Sequence, residues 1–304
     1  MIKSITVTNY RGDSIKLELA RPELSGFAVE EIQGLGPGKA EVSIKELATM
    51  HGGRYNSAKL SSRNIVLSLI FLDKPTIEDT RHRSYRYFPL MKKVKLTIEN
   101  GNRVAEIEGI VESNEPTIFS KGEGTSISIL CEDPFFYSSG DTGTKTVVFN
   151  SVEPVFEFPF SNESLESNTI EFSVYSQDHS ATIVYEGDSE VGMIIRIRAV
   201  GPASGIKIWN ADTKETMEID TEKLQSLTGS GFITGDEIVI NTLDKQKAIT
   251  LIRDGKTTNI LNCLSKYADW FKLSKGDNNF LYSAADGVSN LQFEISHRII
   301  YEGV

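Results

Sequence analysis

The chain has 304 residues, with 32 basic against 42 acidic side chains, a formal charge of −10 and 39% hydrophobic residues. That balance excludes whole-chain electrostatic attraction to nucleic acid or to an anionic membrane, while the length suits about two domains, each able to bury its own core. The two cysteines, Cys131 and Cys263, exclude a disulfide framework and read as buried, reduced thiols; no run approaches the roughly 18 consecutive apolar residues of a membrane-spanning helix.

Short apolar runs broken by Gly, Pro, Asn and Asp recur along the chain, so the expected class is mainly β. The N-terminus alternates Ile5, Val7 and Asn9 as a strand does and lacks an apolar stretch of signal-peptide length, which places synthesis and folding in a cytoplasm. Gly34-Leu-Gly36-Pro-Gly38-Lys39-Ala40 has the look of a phosphate loop, but a Walker loop needs Gly and Ser or Thr where Gln33 and Ala40 stand, and Pro37 removes a backbone donor. A mobile surface loop is the expectation there. Asn56 to Arg63 reads as a polar extended loop or edge, and Asn64 to Leu72, apolar on both faces except at Ser68, as a central strand covered on both sides.

A helix is predicted between Thr76, which caps it with Asp79 three residues on, and Pro89, which closes it; Ile77, Tyr85 and Phe88 share its packing face. Val94, Leu96 and Ile98 alternate with polar residues, Asn100-Gly101 follows, and Ala105, Ile107 and Val111 continue, which predicts a hairpin with a two-residue primed turn. Ile127, Ile129 and Cys131 then line one face of a strand that Asp133-Pro134 stops, and Phe135, Phe136 and Tyr137 read as a hydrophobic plug rather than a ligand platform. Turn formers at 138–145 mark a domain boundary.

Beyond it, 155–158, 170–174, 193–198, 237–240 and 248–252 arrive at intervals that suit a β-sandwich, with a short helical turn between Leu261 and Phe271 and a last strand, 290–301, closing the sheet.

Catalytic patterns fail one by one. His51, His82, His179 and His297 stand singly and read as surface or satisfied core residues rather than metal ligands, and no Ser sits in a nucleophile elbow. Pairs such as Glu106 and Glu108 merely share a strand's solvent face. The Asn162-Glu-Ser164 sequon is uninformative without secretion. The segment 81–95 is basic without an acidic residue. Its Arg81, Arg83, Arg86, Lys92 and Lys93 suit a subunit contact, a basic face meeting an acidic one on a neighbouring copy, better than a nucleic-acid site. Trp209 and Trp270 suit buried sandwich positions, with sugar stacking as the functional alternative.

Several stretches together resemble the distal tail protein (Dit) family of long-tailed phages and of prophage particles of Gram-positive bacteria. They are Ser25-Gly26-Phe27 leading into Gly34-Leu-Gly36-Pro37, Asn64-Ile-Val-Leu67, Pro75-Thr-Ile-Glu-Asp79 with Tyr87-Phe-Pro89, Gly109 to Pro116 with Ile118-Phe119, and Cys131-Glu-Asp-Pro134-Phe-Phe-Tyr137. Looser matches follow at Gly235 to Ile240, Leu273 to Asn278 and Tyr301 to Val304.

The resemblance implies an N-terminal ring-forming domain, 1–140, β-sandwich-like with one α-helix and a β-hairpin, and a C-terminal galectin-like β-sandwich, 141–304. It implies a homo-hexameric structural hub at the virion tail tip that joins the tail tube protein to a tail-tip hub protein of tail-associated lysin type and offers a platform for receptor-binding or baseplate proteins. No enzyme activity, cofactor, specific nucleic acid or membrane is implied. The length leaves no room for an inserted carbohydrate-binding module. The competing expectation is a carbohydrate-binding protein that attaches to host wall polysaccharide through its C-terminal sandwich.

Overall fold

The computed structural model describes residues 1–46, 51–101, 103–119, 122–139, 143–154, 173–177 and 179–304. The runs expected at 155–158, most of 170–174, the sequon at 162–164 and residues 140–142 of the expected boundary lie outside the described residues. The protein is mainly β and divides into two compact units, 1–143 with 300–304, and 144–299.

In the first unit the strands are β1 (Ile2–Asn9), β2 (Ser14–Glu18), β3 (Phe27–Gln33), β4 (Ala40–Glu46), β5 (Gly53–Leu60) and β6 (Arg63–Phe71). Helix α1 (Ile77–Tyr87) follows, then β7 (Lys93–Asn100), β8 (Val104–Thr117), β9 (Gly124–Cys131) and β10 (Phe136–Ser138). The main sheet runs β2-β1-β7-β8-β9-β6-β3, and β4 and β5 form a separate two-stranded ribbon. Alternation decides the core: Ile5 and Val7, Ile65, Leu67 and Leu69, Val94, Leu96 and Ile98, and Ile127, Ile129 and Cys131 all lie inside. Gly109 interrupts the pattern for a steric reason, since a Cβ there would stand 2.6 Å from Ile129 Cγ2 and 2.8 Å from Cys131 Sγ.

The helix starts as its sequence dictates: Thr76 Oγ1 accepts the Asp79 amide at 3.1 Å. Its packing face differs from the one expected. Thr80 and Ser84 are buried with Phe88, whereas Tyr85 is exposed beside His82. The two small polar residues satisfy themselves against backbone, Thr80 Oγ1 donating to Leu72 O and Ser84 Oγ to Arg81 O. Strand β6 is central, between β9 and β3, but only one face is fully buried; Val66, Ser68 and Ile70 on the other are half-buried. The β7–β8 hairpin forms, yet Gly101 does not take the positive φ of a primed turn. Asn100 stays in the ladder, donating its amide to Arg103 O at 3.0 Å, and its side chain accepts the Arg103 amide at 2.8 Å.

One cation organises this unit. Arg63 is buried, 6% exposed, and donates Nε to Pro134 O at 2.6 Å, Nη1 to Gly34 O at 2.6 Å and to Gly36 O, and Nη2 to Glu302 O at 2.8 Å. Its guanidinium lies 4.6 Å from the centroid of the buried Phe136 ring. Burial pulls its pKa below the ordinary arginine value, and four backbone carbonyls stand in for a counter-ion. The Gly34–Gly38 stretch is therefore tied down and is not the mobile surface loop expected of it. Gly34 is required there: its φ is +85°, and a Cβ would meet Asn64 O at 2.2 Å.

After Pro134 the aromatic cluster serves as a plug, with Phe136 buried, Asp133 Oδ1 accepting the Phe135 amide and Tyr137 Oη donating to Asp133 Oδ2 at 2.6 Å. Cys131 is a buried free thiol whose pKa burial pushes up to about 11.

The second unit contains β11 (Thr144–Val148), β12 (Asn150–Pro154), β13 (Ser173–Gln177), β14 (Ser180–Tyr185), β15 (Ile194–Ala199), β16 (Ile206–Asn210) and β17 (Thr216–Ile219). Helix α2 (Thr221–Thr228) is followed by β18 (Glu237–Asn241), β19 (Ala248–Arg253), β20 (Lys256–Asn259), β21 (Gly276–Ser283) and β22 (Leu291–Arg298). A six-stranded sheet, β11-β22-β15-β18-β19-β20, faces a four-stranded sheet, β14-β21-β16-β17. Aromatic pairs join the two inner faces: Tyr282 on β21 stacks on Phe293 of β22 with centroids 3.8 Å apart, and Tyr185 on β14 meets His297 of β22 at 5.7 Å.

Helix α2 was missed by periodicity because it is short, although its ends are marked in sequence. Asp220 Oδ1 accepts the amides of Glu222 and Lys223, and Gly229 closes the helix at φ +84°. The turn expected between Leu261 and Phe271 is a 3-10 turn at Leu261–Cys263. The last strand does not close its sheet. β22 lies inside it, between β11 and β15, and the chain continues as β23 (Ile300–Tyr301), which pairs with β10 in the first unit.

Two expected outcomes follow. Replacing Arg63 by Lys, which has three donors and no planar fork, strands carbonyls of Gly34, Gly36, Pro134 or Glu302; the cost is on the order of 3 kcal/mol, read by denaturant unfolding of the full chain. His297 is buried with neither ring nitrogen hydrogen-bonded among the described residues, and burial, aided by Lys145, lowers its pKa from 6.5 to about 4. The unfolded chain thus takes up a proton that the fold refuses: no penalty operates above pH 6.5, and stability falls as pH drops from 6.5 towards 4. In His297→Phe the slope of Tm against pH through that window should flatten relative to the parent; an unchanged slope would show that other groups cause it.

Candidate functional site

The predicted basic surface is assembled from the α1 turns and the start of β7, and the structure divides its five residues. Arg81 is spent within the chain, lying 3.9 Å from both Glu78 and Glu123 with its side chain 15% exposed. Arg86 is held by Asp13, whose two carboxylate oxygens accept from Nε at 3.2 Å and Nη2 at 3.1 Å. That hydrogen bond lowers the Asp13 pKa and raises that of Arg86. Arg83 is half-buried with its guanidinium 5.7 Å from the Phe27 ring centroid.

Lys92 lies 5.6 Å from the exposed Tyr10 ring, and Lys93 is exposed where β7 begins. These two make no ion pair among the described residues. Around them Tyr10, Leu90 and Met91 are exposed apolar groups, Met91 at φ +59°.

A second surface includes most of the interval Asn56 to Arg63, which from sequence reads as a polar extended loop or edge. The β4–β5 ribbon is exposed along both strands. Its register, Ala40 opposite Leu60, Val42 opposite Ala58 and Ile44 opposite Tyr55, puts all six on one face. Glu41, Ser43, Lys45, Arg54, Ser57 and Lys59 occupy the other. Val42 is 54% exposed, Ile44 60% and Tyr55 63%. An isolated two-stranded hairpin is marginal in water, and this one leaves its apolar face open. The period-2 signal at 40–45 was available in the sequence.

The ribbon's root is firm. Ser61 donates its amide to Lys39 O and its hydroxyl to Glu41 Oε1 at 2.8 Å, and this last bond, with Lys59, lowers the Glu41 pKa.

Trp209 and Trp270 are both half-buried rather than buried core residues. Trp209 points out of the four-stranded sheet opposite Thr216, whose amide donates to Asp269 Oδ2 at 3.0 Å, beside Trp270. Trp270 carries Lys247 at 5.4 Å from its ring. The two indoles make no ring contact with each other among the described residues. No group of three or more His, Cys, Asp or Glu converges on a metal-sized site among the described residues.

Comparison with known proteins bears on both units. Residues 186–298 match the family described as siphovirus-type tail component, C-terminal domain. Over 97% of this chain and 98% of its own, the Dit protein (gp 19.1) of phage SPP1, described as a paradigm of the hub adsorption apparatus in phages infecting Gram-positive bacteria, superposes with a TM-score of 0.65 at 13% identity. Chains from the phage P2 baseplate in its activated conformation, with Ca and with Sr, align at TM-scores of 0.44 and 0.43 with 11% and 10% identity. The Ca form covers 98% of each chain and the Sr form 97%, and both scores are too low to bear on the fold. No curated protein matches the chain. Residues 186–298 thus match the siphovirus-type tail component, C-terminal domain, and the chain shares the fold of SPP1 Dit along its length.

Proposed function

We propose that the chain is a non-enzymatic hub of the tail tip that closes into a homo-hexameric ring through its first unit. On this reading it joins the tail tube to a tail-tip hub protein and presents its second unit as a platform for baseplate or receptor-binding proteins. The observation that carries the reading is the β4–β5 ribbon, a built, amphipathic element whose apolar face nothing among the described residues covers. Heterologous contacts of this kind close into rings and remove exposed edges.

The basic surface enters the reading through Lys92 and Lys93; Arg81 and Arg86 already serve their own subunit, and Arg83 leans on Phe27. Reversal of Lys92 and Lys93 to Glu should weaken assembly about tenfold with Tm unchanged, the signature of a contact rather than a core residue. Arg86→Glu should instead lower Tm, since it sets a carboxylate against Asp13. Light scattering and negative-stain images of the full chain with tube and hub proteins provide the readout. A strict monomer under all conditions would refute the ring.

A second reading, attachment to wall polysaccharide, rests on the Thr216–Asp269 bridge, which brings the segments carrying two half-buried indoles together. It predicts binding of the full chain to purified cell walls that Trp209→Ala and Trp270→Ala each reduce without a change in Tm. No retention on the walls would end it.

A further inference from the structure

The ribbon's charges narrow what covers it. Between 39 and 60 it carries Lys39, Lys45, Arg54 and Lys59 against Glu41 and Glu46. Lys45 and Arg54 stand directly opposite each other across the two strands, and neither has a carboxylate partner among the described residues. Like charges in that position destabilise a free hairpin, so the ribbon is better suited to an anionic surface than to water.

A surface with the matching character lies on the same unit. The solvent face of the main sheet places Val66 of β6 beside Leu130 of β9 and Ile110 of β8, since Asn64 and Ile110 both stand opposite Leu130 and Val66 stands opposite Ser128. Val66 and Ile110 are half-buried and Leu130 is 40% exposed. Around this stripe, Glu31, Glu108, Glu112 and Glu132 have no basic partner among the described residues. Glu112 is aimed along the face by the Ser128 hydroxyl, which donates to it at 2.8 Å.

We infer that the apolar face of the β4–β5 ribbon of one copy lies on the β6–β9–β8 solvent face of a second copy, Val42, Ile44 and Tyr55 covering Val66, Leu130 and Ile110, with Lys45 and Arg54 reaching the Glu108 and Glu112 carboxylates. The inference rests on the ring reading and names its contact. The two faces belong to different places on one chain, so the contact is heterologous and repeats from copy to copy. Long basic side chains on the ribbon's polar face reach past its narrow edge while their stems stay on apolar surface.

The test is disulfide trapping in the full chain, whose own Cys131 and Cys263 are buried. Val42→Cys and Val66→Cys, mixed as single variants and oxidised, should give covalent dimers of unlike copies, and the double variant a ladder of multimers that reductant collapses. Because a cysteine on either face can disturb packing, a charge swap gives an independent arm. Lys45→Glu with Arg54→Glu should weaken assembly about tenfold, and adding Glu108→Lys with Glu112→Lys should restore it.

Oligomers by light scattering without any ladder, or with Val42→Cys pairing only to itself, overturn this placement and leave the ring standing. A monomer in every experiment overturns the ring as well. Failure of the charge swap to restore assembly removes the carboxylate partners named above.

Discussion

Arg63 is the constraint on which the first unit turns. A guanidinium taken out of water needs a partner for every N–H, and here the partners are carbonyls of three separate segments: Gly34 and Gly36 before the ribbon, Pro134 after the last long strand, and Glu302 next to the C-terminus. Because its donors lie in a rigid plane, these four hydrogen bonds fix those segments in one arrangement. Phe136 under the plane and Leu35 O, which accepts the Val304 amide at 3.1 Å, complete the cluster. The same residue that holds the chain's last residues in the first unit also sets the direction in which the ribbon leaves it.

That economy explains why the ribbon can be exposed on both faces and still be built. Its strands gain nothing from a core, yet its root is tied by Ser61 to Lys39 and Glu41 and by Arg63 to the preceding loop. The ring proposed above would use such an arm, with its fixed root and an apolar face left open among the described residues. The second unit is organised differently, as a sandwich in which Tyr282, Phe293 and Phe149 interlock between sheets, and Arg253 pins the loop after α2 through Asp236, Ser230 and Gly231. It buries His297 without a hydrogen-bond partner among the described residues, a stability liability that grows as the pH falls from 6.5 towards 4.

Much of this was legible residue by residue. The β7, β8 and β9 strands follow from alternation alone, α1 from Thr76 and Pro89, and the plug from Phe136 after Asp133-Pro134. The errors share one cause. The pairing of Arg86 with Asp13 and of Arg81 with Glu123 joins residues far apart in sequence, so it could not be read from the basic run. Tyr85 looked like a core residue because periodicity cannot tell which stripe of a short helix meets the sheet. Gly34 to Gly38 looked mobile because the cation that holds it comes from a strand almost thirty residues further on.

By itself, the sequence determined the mainly-β class, the caps and stops, and the alternating faces, because each depends on the conformational preferences of residues close in the chain. Its scattered family-like stretches also pointed to Dit. Only the tertiary structure decided that Arg63 is a buried clasp, that the last residues return to the first unit, and which charged groups pair within the chain. These depend on which distant segments meet, and the cost of burying a charge or an apolar face is set by that meeting rather than by the residue itself.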